Sequence, residues 1–382
     1  MKKFLDCISV VGSTPNRFQG TKKYVSTGAV ATTEIDESEV VEVSYEDRPS
    51  RANLTAEAGD ILFAKMQGTR KTLLLDSETE ENIYSTGFYA VRANPEKITT
   101  ECLYYLVDSE LFLAQKDKNC SGATQKAITN SGLAKIEIRV PHLSEQAVLT
   151  EKLRSLTQLI ADRKKQLELF DEVIKSRFIE MFGEPESNPL HWAMLPLEKC
   201  LTVLGGYAFK SEEFKTLGVP VLRIGNINTG VFTPINMVYW AEDDALERYQ
   251  VLPGDLVISL TGTVGKDDYG NVCILGNAYP LYYLNQRNAK LILGESLNKH
   301  YLSELLKFSQ IKKKLTGISR GVRQANISNR DILNLVVPIP PIDLQTQFAT
   351  FVEQVDKSKF EIQQSLEKLE TLKKALMQKY FG

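Results

Sequence analysis

Apolar residues recur at alternating steps of four and three between Leu143 and Phe182. The positions that follow this spacing are Leu149, Leu153, Leu156, Ile160, Leu167, Phe170, Ile174 and Met181. Such heptad spacing is typical of a helix that buries one seam against a partner helix. About 39 residues at 1.5 Å per residue give a helix of roughly 58 Å, which extends beyond any small domain. The pattern therefore predicts a long helix with a helical partner.

A sequence repeat predicts the identity of that partner. Residues 122–183 align without a gap with residues 321–382 at a constant offset of 199. The identical positions include Gly122 and Gly321, Gln125 and Gln324, Pro141 and Pro340, and Gln146 and Gln345. A repeat of this length predicts internal two-fold pseudo-symmetry. We expect the two helices to pair antiparallel, since parallel pairing would crowd the two modules together. The alternative is two independent amphipathic helices, each packed on its own domain.

Shorter patterns upstream of each repeated segment indicate a module that mixes strands and helices. Strands are expected near residues 25–30, 60–64, 221–224, 256–260 and 291–293, and helices near 100–116 and 299–315. A proline-bearing strand exit precedes each long helix, with Ser144 and Asp343 as N-cap candidates. We predict an α+β fold with two globular α/β-mixed modules at 1–141 and 184–340, and two long antiparallel coiled-coil helices at 142–183 and 341–382.

The two modules diverge in sequence, but each keeps a Gly-Asp dipeptide before an apolar run, at Gly59-Asp60 and at Gly254-Asp255. This pattern is expected when two modules of one kind recognise two different targets, because their framework must be equivalent while their recognition surfaces need not be.

The composition, 43% apolar and 25% charged over 382 residues, is that of a soluble globular protein. No apolar run approaches the roughly 20 residues that span a bilayer. Asp6 stands where a signal peptide needs its apolar core, so a cytoplasmic location is expected. The five cysteines are an odd number and widely spread, which indicates neither a disulfide framework nor a zinc site.

A net charge of −2 argues against a uniformly basic nucleic-acid binder, so any such role depends on local patches. Residues 305–325 form one such patch, because they contain six cations and no acid. A solvated helix face is the ordinary interpretation of such a run. Its continuation into the repeated Gly-x-x-Gln element favours a phosphate-contacting surface. The candidates in this patch are Lys312, Lys313, Lys314, Arg320, Arg323 and Gln324.

Further loops are rich in groups that read bases and contact phosphates. Arg suits guanine and Asn or Gln suits adenine through bidentate hydrogen bonding, and glycines let a backbone approach a ligand closely. The candidates in the second module are Tyr207, Lys210, Ser211, Arg223, Asn226 and Lys266. Those in the first module are Lys65, Arg70, Lys71, Gln125 and Lys126. Any one of these side chains taken alone is more simply explained as structural or solvated.

Catalytic motifs are absent from the sequence. Residues 317–321 fit the Gly-x-Ser-x-Gly pattern of hydrolases, but a basic helix precedes the serine where that motif needs a strand. Residues 262–267 lack the first glycine and the Ser/Thr of a phosphate loop. We therefore expect a chain without catalysis and without a metal site.

Over its whole length the chain resembles the specificity (S) subunits of type I restriction-modification systems, the HsdS family. The residues that carry the resemblance are Gly206-Tyr207-Ala208-Phe209-Lys210-Ser211, Leu222-Arg223-Ile224-Gly225-Asn226-Ile227, Pro253-Gly254-Asp255-Leu256, Gly321-x-x-Gln324-x-x-Ile327, Pro340-Pro341 and Phe381-Gly382. The first module lacks the Gly-Tyr-Ala-Phe-Lys-Ser element, as a variable domain would.

The resemblance implies two target-recognition domains, each of which reads half of a split asymmetric double-stranded DNA sequence. It also implies that the helices act as a spacer and dock two methyltransferase subunits. Those partners, and restriction subunits where they are present, would hold S-adenosylmethionine and ATP. The alternative is a non-enzymatic coiled-coil scaffold whose globular ends bind protein. Its best support is the first module, where residues 1–141 carry 17 Lys and Arg against 20 Asp and Glu.

Overall fold

The structure, a computed structural model, describes residues 1–317 and 324–382. Its contacts divide the chain into two compact units. The first unit comprises Met1–Lys165 and Gln363–Gly382, and the second comprises Gln166–Ile362. Each long helix therefore contributes one part to each unit, whereas the sequence predicted helices separate from the modules. No helix within the described ranges combines the length and the apolar content needed to cross a membrane.

The first module contains twelve strands and the first three helices, and the first long helix, α4, follows it. The bounds are β1 Lys2–Lys3, β2 Ile8–Val11, β3 Thr21–Val25, β4 Val30–Ala31, β5 Glu34–Ile35, β6 Val41–Ser44, β7 Ala52–Leu54, β8 Ile61–Ala64, β9 Thr72–Leu74, β10 Ile83–Ser85, β11 Phe88–Ala93, α1 Thr100–Val107, α2 Glu110–Lys118, α3 Asn130–Leu133, β12 Glu137–Ile138 and α4 Leu143–Phe182.

The second module has a similar order of elements, except that its described residues lack a hairpin like β4–β5 and have the additional pair β19 and β23, and the second long helix, α8, follows it. The bounds are β13 Ala193–Pro196, β14 Leu201–Gly205, β15 Val219–Leu222, β16 Val238–Trp240, β17 Gln250–Val251, β18 Leu256–Ser259, β19 Thr261–Thr263, β20 Val272–Ile274, β21 Tyr282–Leu284, β22 Asn288–Leu293, α5 Lys299–Lys307, α6 Ser309–Thr316, β23 Gln324–Asn326, α7 Asn329–Leu333, β24 Val336–Ile339 and α8 Ile342–Phe381.

The two units share one sheet topology. The first unit has the strand orders β2-β11-β8-β9 and β6-β3-β10-β7, and the second has β14-β22-β18-β20 and β16-β15-β21-β17. In both units the central pair of the second sheet is parallel, β3 with β10 and β15 with β21. A two-stranded ladder, β1 with β12 or β13 with β24, then precedes the long helix. The pseudo-symmetry thus extends into regions whose sequences have diverged.

The Gly-Asp dipeptide builds the same turn in both units. In the first unit Gly59 has φ 86°, a left-handed conformation that glycine adopts without strain. Asp60 Oδ2 accepts a hydrogen bond from the Glu57 amide at 2.9 Å, and Arg92 Nε donates to Asp60 Oδ1 at 2.6 Å. In the second unit Gly254 has φ 87°, the Leu252 amide donates to Asp255 Oδ2 at 2.8 Å, and Lys290 Nζ lies 2.6 Å from Asp255 Oδ2. The predicted common frame is therefore present.

A buried glutamine near the start of each long helix fixes that helix to its module. Gln146 is 0% exposed, and its Oε1 accepts from the Thr99 amide at 2.7 Å. Its Nε2 donates to the carbonyls of Lys97 at 3.1 Å and Pro141 at 3.0 Å. In the second unit Gln345 Oε1 accepts from Asn298 N at 2.9 Å, and Gln345 Nε2 donates to Ser296 O at 3.0 Å and Pro340 O at 2.7 Å. We call these two residues the glutamine latches.

Both long helices bury apolar side chains in each unit. The core of the first unit includes Phe4, Phe63 and Phe112 together with Leu149 and Leu153 of α4 and Met377 and Phe381 of α8. In the second unit Phe178 of α4 lies among Phe182, Tyr301, Phe308 and Phe348. Contacts in the second unit pair rising numbers on α4 with falling numbers on α8: Asp171 lies 2.6 Å from Lys359 Nζ, and the rings of Phe178 and Phe348 are 5.5 Å apart.

Several predicted elements need correction. A strand at 25–30 is wrong, because β3 ends at Val25 and residues 26–29 form a turn in which Ser26 Oγ accepts from the Ala29 amide at 3.2 Å. The helices predicted at 100–116 and 299–315 are each two helices, broken at 108–109 and at 308. Ser144 and Asp343 lie in the first turns of α4 and α8 and are not N-caps.

The glutamine latches lead to a stability prediction. Gln146→Ala or Gln345→Ala leaves one buried amide hydrogen and two carbonyls without their partner, so each should cost about 2–3 kcal/mol of unfolding free energy. Urea denaturation measures this cost. The exposed Gln158 and Gln354 of the same helices are matched controls, and their alanine variants should change stability by less than about 0.5 kcal/mol. Equal effects at buried and exposed positions would contradict the latch.

A second prediction concerns pH and His300. Burial lowers the pKa of its imidazole below the ordinary 6.5, although Glu353 Oε1 lies 3.5 Å from Nε2 and opposes the shift. In the unfolded chain the His300 imidazole then takes up a proton as the pH falls through about 6.5, while in the folded chain this imidazole stays neutral until the pH is lower. The contribution of His300 to the free energy of unfolding is therefore fully present above that pH and decreases below it.

Thermal unfolding of the wild type and of His300→Gln, compared from about pH 7.5 to about pH 5.5, tests this sign. The wild type should lose more stability than the variant over this interval. An identical pH dependence in the two proteins would show that His300 does not contribute.

Candidate nucleic-acid interface

In the first module the structure brings the two predicted groups of residues together. The loop after β8 carries Lys65, Arg70 and Lys71, and the repeated segment carries Gln125 and Lys126. Two backbone hydrogen bonds join these segments, from Gln67 N to Lys126 O at 2.9 Å and from Ile128 N to Lys65 O at 2.9 Å. The repeated glycine is required here, since a Cβ on Gly122 would lie 2.4 Å from the Gln125 carbonyl oxygen.

The second module has the equivalent arrangement. β19 pairs with β23, and Ile327 N donates to Leu260 O at 2.8 Å, as Ile128 N does to Lys65 O in the first module. The backbone of Gln324 is thereby placed opposite Thr263, while its side chain, like Arg320 and Arg323, lies outside the described part of the chain. The repeated segment thus lies beside the loop after β8 or β18 in both modules.

Three of the predicted first-module cations have internal partners. Arg70 donates from Nε and Nη2 to the Asp108 carboxylate, both at 2.8 Å. Lys71 Nζ donates to the Thr27 carbonyl. Lys65 Nζ donates to Thr86 O at 2.9 Å and lies 4.5 Å from the centre of the Tyr89 ring. Burial lowers the pKa of Lys65.

The polar groups of Arg70 and Lys71 thus help to hold the loop in place, while the Arg70 side chain stays 46% exposed, so both residues remain predicted contacts. Gln125 and Lys126 are exposed. Together with Arg70 they are the exposed candidates of this module.

In the second module Tyr207 is held at the edge of the sheet. A Cβ on Gly206 would lie 2.2 Å from the Asn285 carbonyl oxygen, so only glycine lets the chain pass there. Tyr207 N then donates to Leu284 O at 2.8 Å, and its ring, 38% exposed, lies 5.3 Å from that of Tyr249. Lys210 and Ser211 follow on the exposed surface, with Lys210 Nζ at 3.4 Å from Glu213.

Asn226 does not face solvent, which corrects its assignment as a base-reading residue. It is 2% exposed, and its Nδ2 donates to Thr233 O at 3.1 Å and Ile235 O at 3.0 Å. Its Oδ1 accepts from the Arg223 amide at 2.9 Å. Arg223 is half-buried and donates from Nη2 to the Asn236 carbonyl at 2.5 Å. Asn226 therefore shapes the loop that follows β15, and Arg223 is partly occupied in the same task.

The basic patch divides into one buried and several exposed cations. Lys312 is 8% exposed and lies against Asp267 and Asn271, so it is not available to a phosphate in this conformation. Lys313, Lys314 and Lys266 are exposed. The predicted phosphate surface therefore keeps Lys313 and Lys314 but not Lys312 among the described residues.

Two exposed residues of this edge were missed in the sequence, Gln286 and Arg287. Gln286 N donates to Tyr207 O at 2.9 Å, and Leu260 N donates to Arg287 O at 2.8 Å. These bonds place both residues between Tyr207 and the loop after β18, and both side chains are exposed. The available signal was the polar run at 285–288 between two apolar strands.

The exposed groups of this edge are amides, cations and an aromatic ring, which suit phosphate contact and base recognition. Within residues 1–317 and 324–382 no three His, Cys, Asp or Glu side chains cluster as a metal site requires. Each of the two modules therefore has one exposed polar edge where the repeated segment meets the loop after β8 or β18. We call these the candidate recognition edges.

Comparison with known proteins gives the family. The sequence matches the family described as the type I restriction modification DNA specificity domain over residues 11–169 and 189–374. The chain belongs to this family. It is 26% identical over 293 residues to the type I restriction enzyme MjaVIII specificity subunit of Methanocaldococcus jannaschii, covering 72% of this chain and 67% of the relative. It is 24% identical over 322 residues to the EcoKI specificity subunit of Escherichia coli, covering 78% and 68%.

Solved structures agree on the fold. The type I restriction-modification system S subunit from M. genitalium matches with a TM-score of 0.56 at 15% identity, covering 99% of this chain and 94% of that chain. A chain from a type I restriction-modification system solved to study complex assembly and conformational transition matches with a TM-score of 0.53 at 20% identity, covering 98% and 97%. The suspected family resemblance is confirmed.

Proposed function

We propose that this chain is the sequence-specific DNA-binding specificity subunit of a type I restriction-modification complex, and that each module reads one half of a bipartite asymmetric site. The observation that carries the proposal is the pair of recognition edges. Both edges use the same backbone hydrogen bonds, from Ile128 to Lys65 and from Ile327 to Leu260. Their exposed side chains differ, with Gln125 and Lys126 in one module and Tyr207 and Arg287 in the other. Equivalent frames with unequal surfaces suit the reading of two unrelated half-sequences.

The long helices are proposed to form an antiparallel coiled coil that docks two methyltransferase subunits. Contacts within each unit support the pairing, such as Lys164 Nζ with Glu370 at 3.4 Å in the first unit and Asp171 with Lys359 in the second. Exposed apolar side chains mark interaction surfaces when they cluster. Leu169 and Val173 of α4 line one groove with Phe351 of α8, and this groove supports docking. The other large apolar side chains exposed on the two helices are Leu143, Val148, Leu159, Ile342, Phe360 and Leu372.

The chain itself is proposed to be non-catalytic. S-adenosylmethionine would then be bound by the methyltransferase subunits, and ATP by a restriction subunit where one is present. The residues described above supply binding groups: amides, ammonium and guanidinium groups and an aromatic ring. The proposed contribution of this chain to methylation is therefore the choice of the site.

The exposed lysines give a prediction about salt dependence. Lys313→Met combined with Lys314→Met should weaken binding of the methyltransferase complex to all DNA sequences. The slope of log affinity against log salt should fall by about two units, near 0.9 per phosphate contact. Lys199→Met, which removes an exposed cation away from these loops, is the control. An unchanged slope in the double variant would remove both lysines from the interface.

Module exchange tests the proposed function. Residues 1–141 are replaced by the equivalent module of a related subunit, and the methylome of cells carrying the complex is sequenced. One half of the methylated motif should change, while the other half and the gap between them stay the same. A change in both halves would contradict independent reading. Absence of any sequence-specific DNA contact by the wild-type complex would favour a scaffold that binds protein.

A further inference from the structure

One buried lysine holds the loop after β8 in place through hydrogen bonds to its backbone carbonyls. Lys116 of α2 is 1% exposed, and burial lowers the pKa of its ammonium group. Its Nζ donates to Ala64 O at the end of β8 at 3.3 Å, and to Met66 O at 3.1 Å and Thr69 O at 2.7 Å in this loop. The three donors of the ammonium group therefore each have an acceptor.

The neighbouring aspartate completes this contact. Asp117 Oδ2 accepts from the Gly68 amide at 3.0 Å, and Gln67 Nε2 donates to the Asp117 carbonyl at 3.2 Å. Residues 116 and 117 together engage every loop residue from 66 to 69 through a backbone or side-chain group. The path of this loop is thus determined by two consecutive residues of α2.

The second module contains a lysine in the same role on the equivalent helix. Lys312 of α6 donates from Nζ to Asn271 Oδ1 at 2.6 Å and lies 2.5 Å from Asp267 Oδ1. Asn271 in turn donates from Nδ2 to the Asn228 carbonyl. Lys312 therefore connects the loop after β18 to the loop after β15, which carries Arg223.

The two lysines are not aligned by the repeat. Position 116 corresponds to Leu315 at the offset of 199, and Lys312 lies about one helical turn earlier on α6. The partners also differ. Lys116 donates to the carbonyls of three residues and lies 3.4 Å from Asp117 Oδ1, whereas Lys312 contacts Asn271 Oδ1 together with the carboxylate and the carbonyl of Asp267. Each module has therefore arrived at a buried ammonium group beneath its recognition loop with a different set of contacts. A buried cation is tolerated only where its partners are in place, so the loop and the lysine depend on each other.

We propose that Lys116 and Lys312 are positioning residues for base recognition, and that each one determines the specificity of its own module without contacting DNA. The inference rests on the proposed function, because it assigns residues to the reading of each half-site. Removing Lys116 releases two carbonyls of the first loop and one at the end of β8. Removing Lys312 releases Asn271, whose Nδ2 joins the loops after β18 and β15. Each change should relax one half of the recognised sequence and leave the other half strict.

The test uses the complete chain with its methyltransferase partner and compares Lys116→Met with Lys312→Met. Methionine keeps an unbranched apolar stem and removes the ammonium group. Discrimination against one mismatched base pair, about 5- to 150-fold in DNA-reading proteins, should fall toward one in a single half of the motif, and a different half for each variant. The salt slope of binding should not change, because no phosphate contact is lost.

A second variant in each module distinguishes loss of positioning from misfolding caused by removal of the buried lysine. Asp117→Ala should relax the same half as Lys116→Met, and Asn271→Ala the same half as Lys312→Met, without leaving a buried cation partnerless. Lys118→Met is the matched control, because Lys118 is exposed on α2 two residues from Lys116, and it should leave both halves strict.

Strict reading of both halves in Lys116→Met and Asp117→Ala, or in Lys312→Met and Asn271→Ala, would overturn the proposal. A salt slope reduced by about 0.9 with equal loss on matched and mismatched DNA would also overturn it, because the lysine would then be a phosphate contact. Failure of the proposed function is a separate result, since the wild-type complex would show no bipartite motif.

Discussion

The latch formed by a buried glutamine and the loop before α1 or α5 is the constraint on which the rest of each unit depends. Gln146 and Gln345 each join three backbone groups. An unmade hydrogen bond in a buried site costs more than a made one contributes, so the alternatives to this geometry are strongly disfavoured. The start of the long helix is thereby fixed relative to the sheet, and with it the repeated segment that precedes the helix.

From this fixed start the recognition edge follows in both modules. The repeated segment bonds to the loop after β8 or β18 through the Ile128 and Ile327 amides. The Gly-Asp turn fixes the start of β8 or β18, the strand that leads into this loop. Backbone amides and a few equivalent side chains, the glutamines and the aspartates of the Gly-Asp turns, make these contacts in both modules. The side chains of the loops can therefore diverge between the modules while the frame stays the same.

Sequence reasoning identified what periodicity and repetition encode. The two long helices, the repeat and the Gly-Asp frame each leave a pattern that a single chain displays, and helix α4 begins and ends within a residue of the bounds 142–183. The side-chain roles at the site were less accessible. Asn226 and Lys312 are residue types that read bases or contact phosphates, and only the fold shows that their polar groups are used internally. Gln286 and Arg287 were missed because their exposure depends on how the β21–β22 connection meets the loop after β18.

Lys116 illustrates the same limit. A lysine between Gln115 and Asp117 in a short helix is ordinarily a solvated residue, and no local pattern marks it as buried. Its burial results from long-range packing of α2 against the loop after β8, which are about 50 residues apart in sequence. Contacts at that separation are not encoded in a single-chain pattern.

The central claim, that two equivalent frames carry two independent readers, is tested most directly by making the readers identical. Residues 2–141 would replace residues 195–340, since Lys2 and Leu195 occupy the same place in the ladders that precede the long helices. Methylome sequencing of cells that carry this chain with the methyltransferase partner gives the motif. The account predicts a bipartite motif whose two halves are the first half-sequence and its inverted complement. A motif that keeps the original second half, or a folded complex that methylates no defined sequence, would contradict it.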